Sequence, residues 1–75
     1  MTIVSPYRDD GLTDGTRIGR FVILRDVDGV RHAVSSGGVQ AMGDLDGDTL
    51  VHLSGARTLR VPHSLATLLS WFEMR

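Results

Sequence analysis

The chain has 75 residues, no cysteine and a formal net charge of -1, which is enough for one domain and too little for two. These figures exclude a disulfide framework, a thiolate metal site and a surface that is basic throughout in the manner of a nucleic-acid footprint. A core this small predicts reinforcement by self-association, and hence a homodimer.

All eight basic residues are arginine, and the acidic ones are aspartate except Glu73. Together with many Gly and Val, this bias fits a GC-rich bacterial or phage genome, and arginine pairs and stacks at interfaces better than lysine does. No apolar run approaches the length of a membrane span, and Met1 to Asp10 lack a basic segment followed by an apolar one. A cytoplasmic protein is therefore expected.

In chain order, residues 1–19 are polar and broken by Pro6, Asp9-Asp10-Gly11 and Asp14-Gly15. They read as a flexible N-terminal arm, with Tyr7 and Arg8 as its candidate contact residues. From Arg20 onward short apolar runs alternate with turn dipeptides, the signature of an antiparallel meander. Phe21 to Val27 and Val30 to Val34 are predicted as two strands closed by Asp28-Gly29, a dipeptide suited to a two-residue hairpin. In that register Val27 faces Val30 and Asp26 faces Arg31, and Phe21, Ile23, Val30 and Val34 share a face with Arg25 and His32. Ser35-Ser36-Gly37-Gly38 is a flexible connection. Val39 to Leu45, Asp48 to Leu53 and Arg57 to Val61 follow as strands, joined at Asp46-Gly47 and Ser54-Gly55-Ala56, with Leu50, Leu59 and Val61 on a buried face.

After Val61 the period changes, because Leu65, Leu68, Leu69 and Phe72 fall at the spacing of an amphipathic helix. Pro62 suits its first turn and Ser64 is an alternative N-cap. The expected architecture is α+β: a five-stranded antiparallel meander with a C-terminal amphipathic helix packed on one face, the domain spanning residues 20–75. Trp71, Phe72 and Met74 at the helix end are the candidate dimer interface, since aromatic residues are enriched where surfaces meet.

Few residues carry a catalytic or metal-binding pattern. Asp44, Asp46 and Asp48 alternate like the start of a calcium loop, but Thr49 and Gly55 stand where an EF-hand needs Gly and a bidentate Glu. His32, His52 and His63 match no metal spacing. There is no nucleophile elbow, and Ser35-Ser36-Gly37-Gly38 lacks the Lys and the helix of a phosphate loop. Neither metal nor cofactor is expected, and the chain reads as a non-enzyme. Arg25, Arg31, Arg57 and Arg60 all come from the strands, and they are the candidate partner-binding residues.

The strand region resembles the small flagellar proteins of the FlbD or SwrD family. Leu24-Arg25-Asp26-Val27-Asp28-Gly29 follows that family's Leu-x-Arg-x-Asn-Gly hairpin, and Val34, Val39 and Asp48-Thr49 fall at its next marked positions. Leu53, Gly55, Val61 and Ser64 follow its closing Leu, Gly, Val and Ser, so the likeness runs from Ile23 to Phe72. It departs from the family in one extra residue before Asp48, one fewer before Gly55, His63 in place of a usual Glu, and the added arm. The resemblance implies a β-rich fold and an accessory role without catalytic residues. The function expected from the residues is a small regulator or inhibitor docking on a larger bacterial protein complex, as phage-encoded anti-CRISPR proteins do. A flagellar accessory protein and a nucleic-acid-binding regulator using the strand arginines are the alternatives.

Overall fold

The computed structural model describes residues 11–73. Among them are six strands and one α-helix: β1 Arg17–Ile18, β2 Phe21–Arg25, β3 Arg31–Ser35, β4 Val39–Leu45, β5 Asp48–Leu53, β6 Arg57–Val61 and α1 Leu65–Trp71. They form two three-stranded antiparallel sheets, β1-β2-β3 and β4-β5-β6. This corrects the expected five-stranded meander. A short 3₁₀ turn over Ser36–Gly38 separates β3 from β4, which do not pair. The physical reason is coverage: one helix of seven residues is too short to shield a five-stranded face, whereas two small sheets bury their inner faces against each other.

The core confirms that arrangement. Val22, Leu24 and Val34 from the first sheet meet Val51, Leu59 and Val61 from the second, with Leu68 of α1 closing the cluster. The buried Thr49 hydroxyl donates to the carbonyl of His63 at 2.8 Å, so the polar atom under the helix start is satisfied.

The β2–β3 register also differs from the expected one, by a single residue. Leu24 lies opposite His32 and Val22 opposite Val34, while Ile23 faces Ala33 and Arg25 faces Arg31. The inner face therefore carries Val22, Leu24, His32 and Val34. Phe21, Ile23 and Arg25 point the other way, because a shift of one residue exchanges the faces of a strand. The cause is the turn. Asp26 and Val30 close the hairpin through Asp26 N–H to Val30 O at 3.0 Å, and Gly29 N–H returns to Asp26 O at 2.9 Å. The result is a three-residue loop with Gly29 in the left-handed region at φ 85°, a conformation that favours glycine. Val27 and Val30 are consequently exposed loop residues. In the second sheet Val51 faces Leu59 and Thr49 faces Val61, which places Leu50 opposite Arg60 on the outer face. The expected burial of Leu50 beside Leu59 and Val61 does not occur.

Residues 11–19 take part in the fold, whereas residues 1–10, with Tyr7 and Arg8, lie outside the described residues. The Gly15 amide donates to Ile23 O at 2.8 Å and the Ile23 amide to Thr16 O at 2.9 Å, covering the outer side of β2. Gly15 has φ 87°, and a Cβ there would lie 2.6 Å from the Trp71 ring, so no larger residue fits. Asp14 Oδ2 meets His63 Nε2 at 2.9 Å. The Arg17 guanidinium donates to the carbonyls of Trp71 and Glu73, where helix carbonyls lack partners of their own and a cation suits the dipole.

The helix begins at Ser64, whose hydroxyl accepts from the Thr67 amide at 3.2 Å, a conventional N-cap. Leu68 is fully buried, and Trp71 and Phe72 pack against the core as half-buried residues. Leu69, expected on the apolar stripe, is 55% exposed. Of the expected dimer residues, then, Trp71 and Phe72 serve the fold of one chain, and Met74 lies outside the described residues. Leu68→Ala is expected to cost about 2–5 kcal/mol in chemical denaturation. Leu69→Ala should stay within about 0.5 kcal/mol of the parent; equal losses in the two variants would contradict this packing.

Candidate binding surface

The β2–β3 hairpin is organised around one carboxylate. Oδ1 of Asp26 accepts from the amides of Asp28 at 2.9 Å and Val30 at 3.0 Å, while Oδ2 meets Nε2 of His32 at 2.8 Å. Because an ionised carboxylate only accepts, Nε2 carries the shared hydrogen. The hydrogen bond from His32 is the main influence holding the Asp26 carboxyl below its ordinary range, followed by the Val30 amide. Aspartate two residues before a turn commonly captures local amides in this way. The sequence thus held a signal for Asp26 that alternation alone does not reveal.

His32 stands in the wall of a cleft of about 290 Å³ that runs along β3. One side is formed by the consecutive residues His32 to Ser35, with Phe21 beside them, and the other by Gly38, Leu53, Ser54 and Arg57. A second groove, lined by Leu12, Ile23, Arg31, His32 and Ala33, adjoins the same strand. β3 is the last strand of its sheet. Since Ile23 directs both its amide and its carbonyl toward residues 15 and 16, it forms a non-hydrogen-bonded pair with Ala33. The N–H and C=O of Ala33 therefore point out of the sheet, along the open edge.

The four candidate arginines fall in three places. Arg25 and Arg31 stand opposite each other on the outer face of the first sheet, where Arg31 Nη1 donates to Leu12 O at 3.1 Å. Arg60 pairs with Asp48 at 2.7 Å on the outer face of the second sheet. Arg57 lies at the far end of β6 in the cleft wall, and among the described residues it has no acidic partner. The Arg20 guanidinium lies 5.7 Å from the Phe21 ring centroid at the same end of the first sheet, a contact that the sequence reading did not single out.

The three histidines are likewise separate: His32 with Asp26, His63 with Asp14 and the Trp71 ring edge, and His52 with the Thr58 hydroxyl. Among the described residues no three His, Asp or Glu side chains gather as a metal set. No hydroxyl is hydrogen-bonded to His32 among them, and Ser54 in the same cleft donates instead to Gly38 O at 3.2 Å. The Asp26–His32 pair is thus a clasp within the hairpin. No helix among the described residues is long and apolar enough to cross a membrane.

Comparison with known proteins adds no relative: no family model, curated protein or solved structure matches the chain.

The lowered Asp26 carboxyl sets the sign of an acid response. An unfolded chain binds this proton more readily than the folded one, so the contribution of Asp26 is present above the ordinary carboxylate range and is lost as pH falls below about 4. Unfolding followed against pH should show a shallower acid-side loss in Asp26→Asn than in the parent. Identical slopes would show that the clasp is not held by the ionised carboxylate.

Proposed function

We propose that the protein is a non-catalytic, cytoplasmic binding protein that regulates or inhibits a larger bacterial protein complex. The observation that carries this reading is the distribution of exposed apolar side chains. Of the five large hydrophobic residues exposed among the described ones, Ile18, Phe21, Val27 and Val30 belong to the first sheet or its hairpin, and Leu69 alone lies elsewhere. Ile18 and Phe21 face each other across β1 and β2. The exposed apolar residues of the first sheet form two patches at its opposite ends, Ile18 with Phe21 at one and Val27 with Val30 at the hairpin tip, and exposed apolar side chains so grouped suit contact with another protein. The dispersal of Arg25, Arg31, Arg57 and Arg60 over three places fits a phosphate-tracking stripe less well, because such a stripe needs contiguous cations.

Capture from bacterial lysate tests the reading. Immobilised parent protein should retain one multisubunit complex, and an Ile18→Asp, Phe21→Asp double variant that keeps its circular dichroism spectrum should lose it. Recovery of no complex by the parent, or equal recovery by the double variant, would contradict the proposal.

A further inference from the structure

We propose that the open edge of β3 receives an extended acidic segment of the partner protein, which continues the first sheet through Ala33 and sets a carboxylate on Arg57. This rests on the protein-binding reading and names the kind of segment bound. Three observations carry it.

The first is the backbone. β3 ends its sheet, and the pairing of Ile23 with residues 15 and 16 turns the Ala33 donor and acceptor outward. An unpaired strand edge of this kind is a template for strand addition, in which main-chain hydrogen bonds supply affinity and neighbouring grooves select alternate side chains.

The second is the shape around that edge. Two grooves adjoin β3 and share His32 and Ala33. Successive side chains of an added strand point to opposite faces, so alternate residues of the strand meet the groove walls. The Phe21 ring beside one groove offers apolar contact area.

The third is charge. Arg57 stands in the wall of the larger groove, and among the described residues no carboxylate lines either groove. Asp26 is taken up by His32 and Asp48 by Arg60, which leaves Arg57 as the larger groove's cation without an acidic partner among the described residues. An acidic occupant pairs with Arg57, which is suited to bidentate carboxylate binding. A second copy of this chain fits less well. Two copies joined through β3 would present the same patch to each other, placing one Arg57 groove against the other with no acid between them.

The test is an amide chemical-shift titration of the full chain with an acetylated, amidated peptide of four Val-Glu repeats. Its Val-Lys counterpart and a thymidine octanucleotide serve as the other arms. The Val-Glu peptide should move the Ala33 and Arg57 amides and saturate, the Val-Lys peptide should leave them in place, and the oligonucleotide should not compete. Ala33→Pro removes an edge donor that the β2–β3 ladder does not use, so the fold should persist while peptide binding disappears. Arg57→Glu, at an exposed position, should weaken peptide binding about fivefold or more, and it carries the test alone if the proline variant fails to fold. Binding by Ala33→Pro equal to the parent, equal binding of the two peptides, or displacement by the oligonucleotide would overturn the proposal. If a complex captured from lysate is retained equally by the parent, Ala33→Pro and Arg57→Glu, the edge assignment falls while the protein-binding reading stands.

Discussion

The placement of side chains in the first sheet depends on where the Asp26 carboxylate sends its two oxygens. By taking the amides of Asp28 and Val30 on one oxygen and His32 on the other, it favours a three-residue loop over a two-residue one. That choice shifts β3 by one position against β2. In the shifted register Val22, Leu24 and Val34 lie on the face that enters the core cluster, while Ile23, Arg25 and Arg31 lie on the other, where Ile23 is buried as well. Three local hydrogen bonds thereby select which half of a strand is buried. Each is individually modest, but the alternative register would bury Arg25 in place of Leu24, a cost far above theirs.

The same frame explains how residues 14–17 meet the helix and the turn before it. Because Ile23 and Ala33 form a non-hydrogen-bonded pair, the backbone groups of Ile23 are free to pair with Gly15 and Thr16, and this brings residues 14–17 to the helix. Three contacts then join the segment to the C-terminal region. Gly15 lies flat against the Trp71 ring, Asp14 holds His63, and the Arg17 guanidinium occupies the carbonyl end of α1. A helix of seven residues is too short to be stable by itself. Its N-cap at Ser64, its burial through Leu68 and its closure by Arg17 supply what its length does not.

Much of the fold was legible in the sequence because local patterns encode it. The spans Val39–Leu45, Asp48–Leu53 and Arg57–Val61 are those that alternation and turn dipeptides predict, and Ser64 caps the helix where the change of period begins. What was not legible depends on contacts distant in sequence or on side chains acting in turns. The division into two sheets follows from a 3₁₀ turn whose residues, Ser36-Gly37-Gly38, read equally well as a loose connection. The strand at Arg17–Ile18 is too short for any periodicity, and the pairing of Asp14 with His63 spans most of the chain. Of the candidate site, the arginines were visible as residues, but their separation by face and sheet was not. Arg57 meets His32 at one cleft only because the two sheets pack against each other, and the outward-pointing backbone of Ala33 follows from a register that Asp28-Gly29, read as a two-residue turn, sets wrongly.

The proposed binding edge depends on that register as well. An edge strand offers its free donors and acceptors at alternate residues, and the position of Ala33 in that alternation is what makes β3 able to accept another strand. The central claim is therefore the pairing of Ile23 with Ala33, and a nuclear Overhauser spectrum of the free protein tests it most directly. In a non-hydrogen-bonded antiparallel pair the two Cα atoms lie only about 4.5 Å apart, which brings their attached hydrogens into close contact. The account predicts a strong Hα–Hα cross-peak between Ile23 and Ala33. A cross-peak between Leu24 and Ala33 in its place would show a two-residue turn and contradict the account.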